Sequence, residues 1–277
     1  MKLQVLVPIH TYPEGNADKI AMHAAAIARH LEADLHALVL VADFPQVSSA
    51  LGNLLIDVPG MIGDAKAKCH ARGASLVQAL EAEAGTHNVP FRTTQTECFP
   101  PAFGDAVASS ARYHDLVVVG LGTSDLAPTT AEAAIFGSGR PTLLVPEQAD
   151  ATTFEHIMIA WDGSRVAARA VADARDFLRR AQTVTIASVT DEKRLPDHDP
   201  GTRLKDYLSR HDIDATVSRL EAGGRPVAEI LQEHAREIGA GMLVMGGFGH
   251  SRVRDFVLGG ATSGVLRDLR IPVLLSH

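Results

Sequence analysis

Two cysteines, Cys69 and Cys98, are all the sulfur chemistry this chain has to offer beyond methionine. They are too few for a disulfide framework, and each reads as a reduced, packed thiol. Clustered positive charge is missing too. Lys and Arg number 26 against 33 Asp and Glu, for a net charge of −7. The pair Arg179-Arg180 is too small to track a phosphate backbone, so a nucleic-acid partner is disfavoured. No apolar run reaches membrane-spanning length, so no membrane partner is expected. Met1-Lys2-Leu3-Gln4 leads straight into a strand without the charged-then-apolar pattern of a signal, which makes the cytoplasm the expected address. The motifs H-E-x-x-H, C-x-x-C and G-x-S-x-G do not occur, so the common zinc and hydrolase machineries have no foothold. Asp197-His198-Asp199, flanked by Pro196 and Pro200, has the composition of a metal cluster but reads as a solvated turn.

The chain does have enough apolar residues for a core. Hydrophobic residues make up 46% and charged residues 21% of 277, which suits one large or two ordinary globular domains. An internal repeat decides for two. Leu3–Ile9 and His156–Asp162 are matching apolar runs. Each is followed by an alanine-rich helical pattern, Ala17–Leu31 and Ser164–Leu178. Strands then read at Leu35–Val41 and Thr183–Val189, and less clearly at Phe91–Thr96 and Asp214–Leu220. Helices Phe103–Tyr113 and Pro226–Ile238 lead into strands Asp115–Gly120 and Gly241–Gly246. Each half closes on a similar phrase, Gly139–Pro146 and Arg270–Leu275.

Buried apolar runs separated by helices imply a parallel sheet covered on both faces. The boundary falls in the polar stretch Glu147–Phe154, giving domains 1–148 and 154–277. One connection breaks the symmetry. Asp43–Gly63 reads as a long loop carrying Val47, Leu51, Leu54, Leu55 and Ile56, folded down on its domain or on the partner half, or acting as a lid.

The richest local signal is Val244-Met245-Gly246-Gly247-Phe248-Gly249-His250-Ser251, continuing to Leu258-Gly259-Gly260-Ala261-Thr262. An apolar strand empties into a glycine-rich loop, and a helix follows. Glycines let backbone N–H groups turn toward an anion, and a helix start adds unsatisfied donors. The spacing is neither G-x-G-x-x-G nor that of a P-loop.

Gly246-x-x-Gly249, nine residues, Gly259, placed after the fourth strand, resembles the nucleotide motif of the universal stress protein (UspA) family, in its tandem two-domain form. The resemblance covers the whole chain. It implies two five-stranded parallel α/β sandwiches, Rossmann-like and similar to the adenine nucleotide alpha hydrolases, with strand order 3-2-1-4-5. It also implies pairing of such domains through their last strands, here within one chain, with homodimers left open.

In the family's ATP-binding members an acidic residue ends strand one and backbone groups at the end of strand two meet the adenine. Asp162 and Val189 fit those positions. Gly246, Gly249, His250, Ser251, Gly259, Gly260 and Ala261 fall on the implied phosphate loop. Gly260 departs from the pattern, since Ser or Thr is usual there. The backbone N–H survives that change and a hydroxyl donor is lost. Thr262, Ser251 or His250 are the candidates to replace it.

Asp162 also reads as a cap for the helix beginning near Ser164. His250 reads alternatively as a solvated histidine, and Arg252, Arg254 and Arg225 as solvated or salt-bridged charges.

The first half lacks the spacing after Gly120, carries His10 at the acidic position, and is expected to have no nucleotide site. Gly137-Ser138-Gly139 there reads as a helix end and turn. The resemblance thus points to a cytoplasmic stress-adaptation protein that binds ATP or a related adenine nucleotide in its second half, with Mg²⁺ accompanying the phosphates. No catalytic residue is assigned. The competing readings are a nucleotide-free interaction protein and a slow ATP hydrolase.

Overall fold

The computed structural model describes residues 2–44, 57–122, 124–150, 153–191, 199–247 and 260–277. They form two compact units. One is Met1–Ser138 with Glu147–Asp150, and the other is Gly139–Pro146 with Ala151–His277.

The first unit runs β1 (Gln4–His10), α1 (Lys19–Leu31), β2 (Asp34–Ala42), α2 (Val58–Thr86), β3 (Phe91–Cys98), α3 (Phe103–Ala111), β4 (Leu116–Leu121) and α4 (Leu126–Gly137). Its strands are parallel in the order β3-β2-β1-β4. Val5, Leu6, Val7 and Ile9 of β1 are fully buried. This is the continuous apolar character expected of a strand covered on both faces. β3 is the edge, and most of its residues are exposed or half-buried. Ile20, Ala24, Ile27 and Leu31 form the buried stripe of α1.

One expectation is corrected here. The segment read as a loop to Gly63 is helical from Val58. Asp57 Oδ1 accepts from Gly60 N at 2.9 Å, and Pro59 sits in the first turn, where a missing N–H costs nothing. Val47, Leu51, Leu54, Leu55 and Ile56, the residues of the suggested lid, lie outside the described residues. Gly137–Gly139 is a helix end and turn: α4 stops at Gly137, and Gly139 has φ +71°.

The second unit contains β5 (Thr142–Pro146), β6 (His156–Ala160), α5 (Arg165–Asp173), α6 (Arg175–Leu178), β7 (Thr183–Val189), α7 (Pro200–Ser209), β8 (Thr216–Leu220), α8 (Val227–Glu237), β9 (Met242–Gly246), α9 (Ala261–Arg267) and β10 (Val273–Ser276). Five strands are parallel in the order β8-β7-β6-β9-β10. In the unit's own sequence this is 3-2-1-4-5. β5 lies antiparallel to β10, with Leu144 opposite Val273 and Thr142 opposite Leu275.

The single helix read over Ser164–Leu178 is two, interrupted at Ala174. Phe177 and Leu178 are still buried, and the Phe177 ring lies 5.2 Å from that of Phe154. Among the described residues no helix is long and apolar enough to cross a membrane.

Candidate functional site

In the second unit β6 neighbours β7 on one side and β9 on the other. Chain connections leave in opposite directions at that point, which opens a crevice at the strands' carboxyl ends. The β6–β9 ladder runs from Ile157↔Met242 to Ile159↔Val244, and the loop Trp161–Ser164 emerges beside it. Asp162 is half-buried. Its Oδ1 accepts from Ser164 N at 2.9 Å, and Gly163, at φ +72°, takes the left-handed bend. The helix cap is Ser164, whose Oγ accepts from Ala167 N at 3.2 Å. The capping alternative for Asp162 is therefore corrected. Asp162 tightens the turn before the helix, and the adjacent hydroxyl caps it.

Gly246 ends β9 against this same turn. A Cβ there would lie 2.6 Å from Ala167 N and 2.7 Å from Val166 C. The absence of a side chain is what lets the first turn of α5 close on the end of β9. Gly247 N then donates to Ser276 O at 2.8 Å, and His277 Nδ1 donates to Gly247 O at 3.0 Å.

Val189, half-buried, ends β7 in register with Leu220. The β6 ladder stops earlier, at Ala160↔Ala187, so Val189 lies past that pairing. Trp161 bridges the two strand ends. Its N donates to Ala187 O at 2.8 Å, and its carbonyl accepts from Ser188 Oγ at 2.7 Å. The indole Nε1 is buried with no partner among the described atoms. Beyond Val189, the Asp191 carboxylate accepts from Ala222 N at 2.7 Å and Gly223 N at 2.8 Å. Those backbone donors hold its carboxyl below the usual range and anchor the loop after β8. Trp161, Ser164, Ser188 and Asp191 were not singled out by sequence. Ser before a helix was a readable cap signal, whereas the other three depend on which loops meet.

Gly260 and Ala261 open α9, which packs on α8. Gly260 is exposed and extended, with φ −179° and no side-chain cap, and a Cβ on it would meet nothing within 4 Å. Thr262, a candidate to replace the hydroxyl absent at Gly260, is buried inside the helix. Gly249, His250, Ser251 and Gly259, together with Arg252 and Arg254, lie outside the described residues. The structure thus sets Asp162, Val189 and Gly246 at or just past the carboxyl ends of the neighbouring strands β6, β7 and β9, and Gly260 and Ala261 at a helix start. Arg225 is an ion-pair partner, 2.7 Å from Glu233 and 3.6 Å from Glu229. Asp199 caps α7 through Thr202 N and pairs with Arg219 at 2.9 Å. No group of three or more His, Cys, Asp and Glu able to hold a metal ion occurs among the described residues.

The first unit has a corresponding crevice between β1 and β4. His10, ending β1, is fully buried, and Nε2 pairs with Thr130 Oγ1 at 2.9 Å. Burial pushes its pKa down to about 4, so the ring is neutral at pH 7. Glu147 fills the space beside it. One carboxyl oxygen accepts from Ala17 N at 2.9 Å and the other from Asn16 Nδ2.

The family model described as the universal stress protein family matches residues 153–277. Among solved structures, a universal stress protein from Archaeoglobus fulgidus DSM 4304 is similar over 99% of this chain and 96% of its own, at 19% identity and TM-score 0.70. A functionally unknown protein from Pseudomonas aeruginosa PAO1 is similar over 98% and 92%, at 14% identity and TM-score 0.57. The cytoplasmic domain of a prokaryotic cation chloride cotransporter is similar over 99% and 95%, at 9% identity and TM-score 0.50. At these identities the likeness is one of fold, and a fold hosts many functions. No curated protein matches the sequence.

Proposed function

We propose, from the premise that residues 153–277 form a domain of the universal stress protein family, that the second unit binds an adenine nucleotide. ATP is the first candidate, and the bound state serves as a regulatory signal in stress adaptation. The observation that carries this reading is Gly246. Its missing side chain lets a helix start close on a strand end at the crevice where open α/β sheets take ligands. The spacing Gly246, Gly249, Gly259 continues from that point.

In this reading Asp162 lies beside the nucleotide and backbone groups at Val189 meet the adenine. The loop Gly246, Gly249, His250, Ser251, Gly259, Gly260 and Ala261 holds the phosphates. Mg²⁺ prefers oxygen ligands and keeps several waters, taking one or two carboxylates together with phosphates. Asp162 as a single acid suits that mode, provided the phosphates supply the remaining protein-independent ligands. Bound Mg²⁺ would neutralise phosphate charge, while this chain's residues bind and orient. The first half is assigned as a second, nucleotide-free domain of the same kind, with 1–148 and 154–277 as the division. A cytoplasmic site of action and pairing of the halves belong to the same proposal.

The test is mass analysis of the purified, undialysed full chain, followed by calorimetric titration with ATP and Mg²⁺. A co-purifying adenine nucleotide or saturable heat is expected. Absence of nucleotide and of heat at millimolar ATP overturns the reading.

A further inference from the structure

The first unit holds a buried carboxylate at the carboxyl ends of β1 and β4, that of Glu147. Glu147 is 3% exposed, and burying an ionised carboxyl is costly unless it is fully hydrogen-bonded. Two donors offset part of that cost. Ala17 N, just before α1, donates to one oxygen at 2.9 Å, and the buried Asn16 amide donates to the other. Burial still holds the carboxyl above the usual range. Asn16 is itself fixed from both sides. Its Oδ1 accepts from His10 N at 2.6 Å, its N donates to His10 O at 3.1 Å, and its carbonyl accepts from Arg72 Nη2. Arg72 adds positive charge and pairs with Asp18 at 2.8 Å.

The opposite wall is bare backbone. Gly120 and Gly122, at the end of β4, are positions where a Cβ would run into the Glu147 carboxyl. The next residues fasten the segment down. Gln148 O accepts from Lys19 Nζ at 3.1 Å, His23 Nε2 donates to Ala149 O at 3.1 Å, and Asp150 pairs with Lys19 at 2.8 Å. His10 adds a fully buried ring nitrogen, Nδ1, without a partner. The arrangement is that of an anion held by a backbone N–H before a helix and by a side-chain amide, with room made by glycines at a sheet's switch point, except that the anion belongs to the chain.

We propose that this crevice is an oxyanion seat which the protein fills with its own Glu147 carboxylate, shutting the first unit to small anionic ligands. In the first half the place is then occupied rather than erased. It stands apart from the nucleotide reading, because neither Gly246 nor α5 takes part in it.

The experiment is chemical rescue in the full chain. Glu147→Ala is expected to unfold at a lower temperature than the parent. Acetate or inorganic phosphate at tens of millimolar should raise its midpoint by several degrees more than chloride at equal ionic strength does. The parent and Glu147→Gln, whose seats remain filled, should show no such difference between anions. If Glu147→Ala does not fold in chloride, the readout becomes refolding, expected in acetate or phosphate and not in chloride. Rescue by neither anion, or equal rescue of Glu147→Gln, overturns the proposal.

Discussion

Replacing Gly260 by Ser asks whether the start of α9 meets a phosphate. The position accepts a side chain without strain. Its φ of −179° is extended backbone open to any residue, and a Cβ there would meet nothing within 4 Å. Two effects are then separable. Losing a glycine lowers the entropy of the unfolded chain, worth about 0.4–1 kcal/mol of stability, and a hydroxyl cap adds a few tenths over Gly. Both appear without ligand. The second effect needs ligand. A hydroxyl offers one donor and two acceptor lone pairs, so it can accept from a first-turn N–H while donating to a phosphate oxygen. A hydrogen bond to a charged group is worth about 1.5–3 kcal/mol, and about 1.4 kcal/mol is tenfold in Kd. Gly260→Ser should therefore tighten ATP binding on the order of tenfold to a hundredfold. Gly260→Ala, which shares only the chain-entropy effect, should leave it unchanged. Titration calorimetry of the two variants and the parent reads the difference directly. If Ser and Ala bind ATP alike, the phosphates do not lie at α9 and the assignment of Gly260 and Ala261 falls.

Gly246 should behave in the opposite way. Its Cβ would press on backbone atoms of Val166 and Ala167, which cannot swing aside, so Gly246→Ala should cost about 1–3 kcal/mol by overpacking. A urea midpoint equal to that of the parent would show that α5 does not need the bare strand end. Acid should also weaken the fold. Burial holds His10 at about 4, and burial with the Arg92 and His114 charges holds His36 at about 4, against about 6.5 when unfolded. Both are neutral in the native state. Their stability contribution is complete above pH 6.5 and is lost as pH falls from there toward 4, at up to about 1.4 kcal/mol per pH unit for each group. Urea midpoints at pH 7.5 and 5.0 should differ, and His36→Gln should narrow the gap. Coinciding midpoints for the parent would mean that these rings are not buried in neutral form.

Much of the architecture was legible because its signals are local. An apolar run such as Val5–Val7 needs cover on both faces wherever it sits, and the repeated order of such runs and helical stripes implies parallel strands. The 3-2-1-4-5 order of the second unit came with the family resemblance carried by the glycine spacing, and β8-β7-β6-β9-β10 matches it. The helix over Val58–Gly63 was missed because glycines at 60 and 63 look like punctuation. The Asp57 cap and the length of α2 outweigh them.

By itself, then, the sequence determined which segments become strands and helices and where a glycine-rich strand end occurs, because hydrophobic period and backbone freedom are properties of neighbouring residues. Tertiary structure decided what those positions are for. Gly246 is bare because a helix start from eighty residues earlier presses on it. Glu147, set in what reads as a polar linker, is buried, and its carboxyl meets donors from Asn16 and Ala17, distant in sequence. The burial and partners of such a polar side chain are set by approach in space between residues distant in sequence, which the local pattern around it does not encode.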